Sequence, residues 1–323
     1  MRALVSGGAG YIGSHMCKAL AAEGHDVLVL DNLSTGHRAA VKWGDFVQAD
    51  LLDAARVDGV LAEFRPDVVF HFAGLSVVRD SMSQPFDYYR NNVVGSLNLL
   101  SAMQNHDVGK IVFSSSAAVY GTPVVETIDE MQVTQPINPY GTTKLMVERM
   151  LGDAALAYGL RSVSLRYFNA AGADLDSDIG EAHEPETHLI PNALRAADES
   201  MVLDVFGTDY ATPDGTCIRD YVHVVDLADA HLRAAGYLDE NAGTHRFNLG
   251  TGTGCSVLQI VGKVREATGC ALKYRVSPRR QGDPARLVAS NERARSYLGW
   301  EPRYSDLRTM VDSAWAWHRT RTY

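Results

Sequence analysis

Apolar residues in the first half of the chain form short continuous runs, and stretches with helical spacing lie between them. The runs are rich in β-branched residues and comprise ALVS (3–6), DVLVLD (26–31), DVVFHFAG (67–74), KIVFSSSAAVYG (110–121) and RSVSLRYFN (161–169). Continuous apolar strands are typical of a parallel sheet that is covered on both faces. Strands separated by helices of this length indicate βαβ units. The pattern therefore predicts an α/β fold with a doubly wound parallel sheet.

Two of the stretches between these runs have apolar residues at helical spacing. NNVVGSLNLLSAM (91–103) predicts a helix whose buried face carries Val93, Leu97 and Leu100. A second helix is predicted to begin at Pro139, because a proline at the first helical position loses no hydrogen bond. Its stripe consists of Tyr140, Lys144, Val147 and Leu151.

The pattern loosens after about residue 170. AAGADLDSDIGEAHEPETH (170–188) is polar and broken, which predicts a long loop over a cleft. CSVLQI (255–260) offers a capping box, with Ser256 three residues before Gln259. We predict a Rossmann-type domain over residues 1–170, to which a segment near 220–250 returns. Residues 171–323 are predicted to form mainly a second, smaller α/β domain that binds the substrate.

Composition and charge narrow the classes of function. The chain has 323 residues and a formal net charge of −9, so neither nucleic acid nor an anionic membrane is an expected partner. No apolar run reaches the length of a membrane-spanning helix. The four cysteines are scattered, which argues against a metal cage or a disulfide framework and suits a reducing cytoplasm. His183 and His188 lie in the acidic loop and are interpreted as loop residues, so no metal site is expected.

A glycine motif follows the first apolar run. VSGGAGYIG places Gly7, Gly10 and Gly13 at a spacing that leads into a helix. Glycine lets the backbone approach a diphosphate closely, and the helix start supplies amides and positive potential. Asp31 ends the second run 18 residues beyond Gly13, where an acid bonds the ribose hydroxyls of NAD. The motif therefore predicts an NAD site.

Some acids near this motif have a second interpretation. Asp31 also fits the pattern of an ordinary loop acid at a strand end. The negative charge of Asp31 disfavours the 2′-phosphate of NADP, and Arg38 nearby slightly weakens this preference for NAD. Asp50, which ends FVQAD, is placed either to contact the adenine or to cap a turn.

Candidate catalytic residues come from two further motifs. SSSAAVYG (114–121) puts three serines at the end of a buried strand, which in such sheets faces the cofactor crevice. NPYGTTK (138–144) puts Tyr140 and Lys144 one helical turn apart on the same face. A lysine ammonium near a tyrosine hydroxyl favours the phenolate and lowers the tyrosine pKa. Ser116, Tyr140 and Lys144 are therefore predicted to act together, while Ser114 and Ser115 are expected to satisfy strand-end groups.

GGAGYIG, HFAG, SSSAAVYG, YGTTK and RYFN together resemble the extended short-chain dehydrogenase/reductase family along nearly the full chain. RDYVHVVDLADAH and RRQGD are more selective and are similar to its UDP-sugar 4-epimerase branch. The resemblance implies that Ser116, Tyr140 and Lys144 are catalytic. It implies an NAD site lined by Gly7, Gly10, Tyr11, Ile12, Gly13, Asp31, Asn32, Asp50, Leu51, Phe72, Ala73, Gly74, Asn91, Tyr140, Lys144 and Phe168. It implies a UDP-sugar site formed by Ser116, Asn169, His188, Leu189, Phe206, Arg219, Arg280 and Leu287.

Three positions of the site carry particular expectations. Ser76 replaces a lysine that is frequent in HFAGLK of the family, so retention of NAD is less secure. His188 stands where an asparagine is common. Leu287 takes the place of a gate residue near the sugar 2-position, where a tyrosine restricts the pocket to plain hexoses. Leucine there predicts that an N-acetyl group is admitted.

The diphosphate of a UDP-sugar needs placed cations in a protein that is acidic overall. Arg219 and Arg280 lie on separate segments and are suited to clamp it with charge-assisted bonds. The alternative is that Arg219 forms a structural ion pair with Asp220 or Asp226, which are close in sequence.

The resemblance implies the activity: interconversion of UDP-glucose and UDP-galactose. Tyr140 as phenolate takes the proton of the 4-hydroxyl, hydride passes to NAD⁺, and the 4-keto sugar turns over before hydride returns. A homodimer is implied as well. The alternatives are an epimerase of UDP-N-acetylglucosamine or a UDP-pentose, a nucleotide-sugar dehydratase and a non-catalytic NAD-binding protein. A dehydratase would need Asp-Glu where this chain has Ala117 and Ala118.

Overall fold

The computed structural model describes residues 1–123, 125–280 and 283–323. The strands are β1 (Arg2–Ser6), β2 (Asp26–Asp31), β3 (Asp45–Gln48), β4 (Val68–His71), β5 (Lys110–Ser116), β6 (Arg161–Tyr167), β7 (Asn169–Ala171), β8 (Val202–Phe206), β9 (Ile218–Arg219), β10 (Tyr221–His223), β11 (Thr244–Leu249), β12 (Cys255–Ser256), β13 (Lys273–Ser277) and β14 (Arg286–Leu287). The α-helices are α1 (Tyr11–Ala22), α2 (Ala54–Phe64), α3 (Val78–Ser83), α4 (Pro85–Tyr88), α5 (Gly95–Asn105), α6 (Pro139–Tyr158), α7 (Leu189–Asp198), α8 (Val224–Glu240), α9 (Val257–Thr268), α10 (Glu292–Leu298) and α11 (Leu307–Thr320).

The central sheet contains seven strands in the order β11-β6-β5-β4-β1-β2-β3. Every neighbouring pair is parallel, with β1 paired to β2 on one side and β4 on the other. The strand order reverses direction at β1, which leaves a crevice at the carboxyl ends where ligands bind in such folds. The predicted doubly wound, Rossmann-type fold is confirmed.

Both faces of this sheet are covered by helices. Val5 packs in a core cluster with residues of α1 and α8, whereas its neighbour Leu4 packs in a second cluster with residues of α2, α5 and α6. Successive side chains of a strand point to opposite faces, so every position of β1 meets a helix layer. This is why the strand sequences are continuously apolar rather than alternating.

The helix that carries Tyr140 begins where the sequence predicts. Asn138 is the N-cap, and its side-chain oxygen accepts a hydrogen bond from Gly141 N at 2.8 Å. Pro139 occupies the first turn, where its missing N–H costs nothing. Lys144, Val147 and Leu151 of α6 are buried, as the predicted stripe requires.

The helix predicted over residues 91–103 is present in part, and of its three predicted face residues only Leu100 is buried. α5 starts only at Gly95, behind a π-helical turn over Tyr89–Val94. Leu97 is 51% exposed, and the buried residues after Gly95 are Ser96, Leu99, Leu100, Ala102 and Met103. A π-helical turn contains an extra residue, so it shifts the apolar face relative to the α-helical spacing counted through it.

The second half of the chain adds shorter elements around a third core cluster, to which α7, α9 and α11 contribute. β8 pairs with β13, β9 pairs with β12 and β14, and β7 pairs with β10. The predicted capping box at the start of α9 is confirmed, since Ser256 Oγ accepts from Gln259 N at 3.1 Å and Ser256 N donates to Gln259 Oε1 at 2.8 Å. The division into two domains stays a prediction.

The polar segment before α7 lacks regular structure from residue 172 onward, as predicted for a loop. Among the described residues, no helix has the length and apolar character needed to cross a bilayer.

Candidate active site

A large cavity of about 1440 Å³ opens at the carboxyl ends of the sheet strands. Its lining combines the glycine loop and the strand ends on one side with the loop before α7, α7 itself, Phe206, Arg219 and Leu287 on the other. All the residues that the sequence predicts for catalysis, NAD and UDP-sugar line this cavity. The structure thus brings the whole predicted set together, while the role of each residue stays a prediction.

Close backbone packing at the start of α1 requires glycine at two positions of the loop. Gly7 has a positive φ of 77°, and a Cβ there would lie 2.5 Å from Ala73 N. A Cβ on Gly13 would lie 2.2 Å from Gly7 O. Gly10 is the N-cap of α1 and makes no side-chain cap, so the positive end of the helix faces the cavity uncapped. This cradle fits a dinucleotide diphosphate.

Asp31 has a structural role in addition to its place in the cavity. Its two carboxylate oxygens accept hydrogen bonds from Ala9 N at 2.9 Å and Leu33 N at 2.8 Å. The side chain therefore braces the glycine loop, and each oxygen keeps a lone pair for a ribose hydroxyl. Both interpretations of Asp31 are compatible with this geometry.

Asp50 shows a similar combination. One oxygen accepts from Leu52 N at 2.8 Å, which is the turn role, and the other accepts from Asn32 Nδ2 at 2.9 Å. Asn32 and Asp50 both line the cavity, so this pair shapes the end of the crevice beside β2.

The serine, tyrosine and lysine come from two adjacent elements. Ser116 ends β5, while Tyr140 and Lys144 lie on the first turns of α6. Lys144 Nζ donates to Ser114 O at 2.8 Å and lies 5.8 Å from the centroid of the Tyr140 ring. The backbone of β5 thus holds the ammonium close to the tyrosine.

Burial affects the pKa values of both Tyr140 and Lys144. Burial raises the pKa of Tyr140, and the Ser116 hydroxyl acts in the opposite direction. Burial also lowers the pKa of Lys144 to about 8. Burial therefore opposes the lowering of the Tyr140 pKa that is expected from the Lys144 ammonium. The phenolate needs further positive charge in the cavity.

The other two serines of the motif are bonded to side chains. Ser114 Oγ pairs with the Tyr167 hydroxyl, and Ser115 Oγ donates to Glu148 Oε1 at 2.6 Å. They were expected to satisfy strand-end backbone groups. Since both hydroxyls already have side-chain partners, Ser116 is the serine of the three that faces the tyrosine.

The predicted diphosphate arginines have different partners. Arg280 stacks over the Phe206 ring, with Cζ 4.2 Å from the centroid. Arg219 forms an ion pair with Asp283 and also donates to Pro284 O at 2.8 Å. Asp283 lines the cavity as well.

The alternative partners proposed for Arg219 are wrong, because both acids are committed elsewhere. Asp220 accepts from Thr251 N at 2.8 Å, and Asp226 accepts from Ser305 Oγ at 2.5 Å. Sequence reasoning missed Asp283 although it belongs to the quoted RRQGD motif, of which Gln281 and Gly282 lie outside the described residues. It also missed Tyr167, Asn192 and Arg195, which line the cavity.

The loop before α7 brings two histidines against buried acids. His183 Nδ1 lies 3.0 Å from Glu181 Oε1, and His188 Nδ1 contacts the same carboxylate. Burial alone would lower the pKa of His188, but the Glu181 carboxylate raises it to about 9. Burial alone would raise the pKa of Glu181, and the two histidines lower it to about 2. Both histidines lie in the loop, as predicted, and each is paired with the buried Glu181 carboxylate.

A nucleotide-binding loop and a serine, tyrosine and lysine open onto the same cavity, which is the arrangement of nucleotide-dependent enzymes of the short-chain dehydrogenase type. Residues 3–250 match the model of the NAD dependent epimerase/dehydratase family, and the chain belongs to that family.

One relative and two solved structures are similar to this chain over nearly its full length. The UDP-glucose 4-epimerase of Halalkalibacterium halodurans is 50% identical over 320 residues, which are 99% of this chain and 96% of that protein. The structure of UDP-glucose 4-epimerase from Brucella ovis in complex with NAD has a TM-score of 0.95 at 50% identity, covering 98% of this chain and 97% of that one. The Bifidobacterium longum enzyme in complex with NAD⁺ and UDP has a TM-score of 0.94 at 38% identity, with 99% of both chains covered.

Proposed function

We propose that this chain is an NAD-dependent epimerase that interconverts UDP-glucose and UDP-galactose by transient oxidation at sugar C4. The observation that carries the proposal is the single cavity, which joins the NAD-type glycine loop to Tyr140 and to the two arginines suited to a diphosphate. The relatives at about half identity over nearly the full length are named for this reaction.

The residues present fit NAD. The uncapped start of α1 behind Gly7 and Gly13 suits the diphosphate, and Asp31 suits a ribose. When bound, NAD supplies the hydride acceptor and the positive nicotinium charge, and it is restored in each cycle. Because no net oxidation occurs, the cofactor can stay in place through many turnovers.

The side chains of the chain handle the proton and the reacting oxygen. Tyr140 takes the proton of the sugar 4-hydroxyl and later returns it. Ser116 bonds the same oxygen from the end of β5. Lys144, held by the Ser114 carbonyl, supplies positive charge to the phenolate. General acid–base catalysis of this kind contributes about 100- to 10,000-fold to the rate.

The diphosphate is assigned to Arg219 and Arg280, and Asn169 lines the same cavity. Arg219 Nη2 donates to Asp283 and to Pro284 O, and Nη1 donates to Ile218 O at 2.7 Å, so Nε–H and the second hydrogen of Nη1 stay available for phosphate oxygens. Arg280 is held over Phe206, which fixes its plane. Anchoring the UDP moiety in this way leaves the sugar free to present either face at C4.

An epimerase of UDP-N-acetylglucosamine is the second candidate. Leu287 lies partly buried on the cavity wall, where it packs against the cluster that contains Val119 and Leu145, and it has no hydroxyl to bond a hexose. A dehydratase is disfavoured, since Ala117 and Ala118 replace the acids that elimination requires.

We propose further that the chain works as a cytoplasmic homodimer. α5 and α6 pack on the same face of the sheet and leave apolar side chains in water, with Leu97 51% and Leu156 91% exposed. The cysteines are free thiols, which suits a reducing compartment. Sedimentation of the purified chain as a monomer at micromolar concentration would contradict the dimer.

The test of the function is incubation of purified protein with UDP-galactose and no added cofactor. We expect UDP-glucose to appear, because NAD is retained from expression. A 4-keto-6-deoxy product would indicate a dehydratase instead, and no turnover even with added NAD would indicate a binding protein. If turnover requires added NAD, the proposal stands but Ser76 has weakened cofactor retention.

A further inference from the structure

Two glutamates and two histidines of the loop between β7 and α7 converge on one point. His183 Nδ1 lies 3.0 Å from Glu181 Oε1 and 4.0 Å from Glu186 Oε1. His188 Nδ1 contacts Glu181 Oε1 and lies 3.6 Å from Glu186 Oε1. Each of the four side chains offers one nitrogen or oxygen atom such that all four atoms lie within 4.8 Å of one another.

From this convergence we propose that Glu181, His183, Glu186 and His188 form a binding site for a divalent transition metal of the zinc type. The ion fastens the loop between β7 and α7 over the cavity.

The separations match a tetrahedral ion. Zinc binds imidazole nitrogen and carboxylate oxygen at about 2.0–2.2 Å, so ligands in a tetrahedron are about 3.4 Å apart. Three of the four separations between acids and histidines, at 3.0, 3.6 and 4.0 Å, bracket that value. The fourth pair, His188 Nδ1 and Glu181 Oε1, lies closer and has to separate when the ion binds. Two imidazoles exclude Mg²⁺ and Ca²⁺ as the favoured ions, because those take oxygen ligands.

Burial and charge favour a cation at this place. The side chains of Glu181 and Glu186 are only 5% and 9% exposed, so two carboxylates lie close together away from water. Like charges in a poorly solvated site repel each other unless a cation lies between them. The two histidines reduce the repulsion between the carboxylates only in part. A divalent ion bonded to all four groups neutralises both acids.

The ligands are also held in orientation. Glu186 Oε1 accepts from Thr187 N at 2.7 Å and from His188 N at 2.8 Å, and Trp317 Nε1 donates to Glu181 O at 2.9 Å. The two amides fix the Glu186 carboxylate and Trp317 fixes the backbone of Glu181, and ligands held in place bind a metal more tightly. A metal on Nδ1 leaves the opposite nitrogen of His188 free for its predicted nucleotide contact.

A second acidic cluster provides the contrast. Asp174, Asp176 and Asp178 also lie close together, but Lys18 Nζ already binds all three at 2.7, 3.0 and 3.0 Å. That cluster has its cation in the chain and offers no imidazole. It therefore serves as the matched control.

The experiment uses untagged protein stripped with EDTA and titrated with Zn²⁺ in a calorimeter, and with Co²⁺ in a spectrophotometer. We expect one saturable Zn²⁺ per chain, an intense visible Co²⁺ spectrum of tetrahedral type, and a rise of the thermal midpoint with Zn²⁺. His183→Ala should weaken binding about tenfold or more, since even outer-shell losses weaken metal sites by that factor. Asp176→Asn should leave binding unchanged.

Glu186→Gln provides a second ligand variant in case His183→Ala fails to fold, as judged by circular dichroism. The proposal is overturned if the parent shows no saturable binding, or if both folded ligand variants bind Zn²⁺ like the parent. A weak Co²⁺ spectrum of octahedral type would overturn the tetrahedral site proposed here.

Discussion

At the scale of single residues, the reactive group depends on a tyrosine that its surroundings keep protonated. Burial raises the pKa of Tyr140, and the adjacent Ser116 hydroxyl only opposes this rise. A pKa change of one unit corresponds to about 1.4 kcal/mol. The positive charges of Lys144 and of bound NAD must therefore lower the pKa of Tyr140 from a value that burial has already raised above the ordinary one. This makes the base conditional on the loaded cofactor.

Tyr140→Phe is expected to remove the base and little else. The ring keeps its packing, so folding and NAD binding should persist, while turnover of UDP-galactose should fall about 100-fold or more. Steady-state kinetics and NAD content of the purified variant measure the two effects. Near-normal activity would mean that another residue takes the proton.

Lys144→Ala is expected to weaken NAD binding and to move the pH optimum of turnover upward. Without the ammonium the phenolate loses a neighbouring positive charge, so Tyr140 deprotonates only at higher pH. The measurement is kcat against pH at saturating substrate and NAD. A profile that coincides with that of the parent would refute the electrostatic role of Lys144.

Leu287→Tyr is expected to change which sugars are accepted. The parent should epimerise UDP-N-acetylglucosamine measurably, though more slowly than UDP-glucose, because leucine leaves space for the N-acetyl group. Arg286 does not refill that space, since its side chain donates to Thr253 O at 3.2 Å. The tyrosine should abolish the N-acetyl activity and spare the hexose activity.

Leu287→Met is the matched control for this substitution, because it keeps the position apolar and similar in volume. The measurement is turnover of UDP-glucose and of UDP-N-acetylglucosamine by the parent, by Leu287→Tyr and by Leu287→Met. If the N-acetyl activity is absent from the parent, or unchanged by the tyrosine, residue 287 is not the gate.

At the scale of elements, the important contact is between α6 and the strands beneath it. Glu148, one turn beyond Lys144, accepts two bonds from Arg166 of β6, at 2.8 and 2.5 Å. The same carboxylate accepts from Ser115, the neighbour of Ser116 on β5. Both members of the ion pair are at most 2% exposed. This network ties the helix that carries the tyrosine to the strand that carries the serine.

Glu148→Gln is therefore expected to lower kcat while leaving KM for UDP-galactose nearly unchanged. A glutamine has a single oxygen acceptor and no charge, so α6 loses part of its attachment. A displacement of about 1 Å in a catalytic group costs about 100-fold in rate. Breaking a buried ion pair also destabilises by about 3–5 kcal/mol, so Ser115→Ala is the milder companion variant.

The control for both variants is Ser305→Ala. It removes a hydroxyl that donates to Asp226 at 2.5 Å, and neither residue belongs to the elements that carry the catalytic groups. It should lower stability without changing kcat. If Glu148→Gln and Ser115→Ala behave like this control, the network stabilises the fold but does not position the catalytic groups.

These elements also show what the sequence can predict. β1, β2, β5 and β6 were predictable because each is a continuous apolar run, and α6 because Asn138 and Pro139 mark its start. The face of α5 was not, since the π-helical turn before it has no signature in the apolar spacing. Short strands such as β9 and β14 depend on pairing across the fold. The Arg219–Asp283 pair joins residues 64 positions apart, so local sequence could not indicate it.

At the scale of the whole molecule, four buried histidines connect layers of the structure. His15 of α1 and His231 of α8 lie in the helix layer on one side of the sheet, His71 ends β4, and His223 bonds Ser313 of α11 at 3.0 Å. Burial lowers the pKa of His71 to about 3 and that of each of the others to about 4. The packed molecule therefore requires all four imidazoles to be neutral.

This requirement predicts how stability depends on pH. The folded pKa values lie below the unfolded value of about 6.5, so unfolding takes up protons between pH 6.5 and about 4. The free energy of unfolding should fall as pH falls through that window, by up to about 1.4 kcal/mol per pH unit for each histidine. Asp220 and Asp226, whose pKa burial raises, act in the opposite direction. Denaturant unfolding at pH 7, 6 and 5 measures the slope.

The contribution of one histidine can be isolated through His231. Its Nε2 is buried without a hydrogen-bond partner in the part of the chain that the structure describes, and a proton there would place an unpaired charge between the rings of Phe72 and Tyr167. His231→Gln should therefore reduce the pH slope by about one proton, whatever it does to the stability at pH 7. Equal slopes in the parent and in His231→Gln would show that burial of His231 does not contribute to acid unfolding.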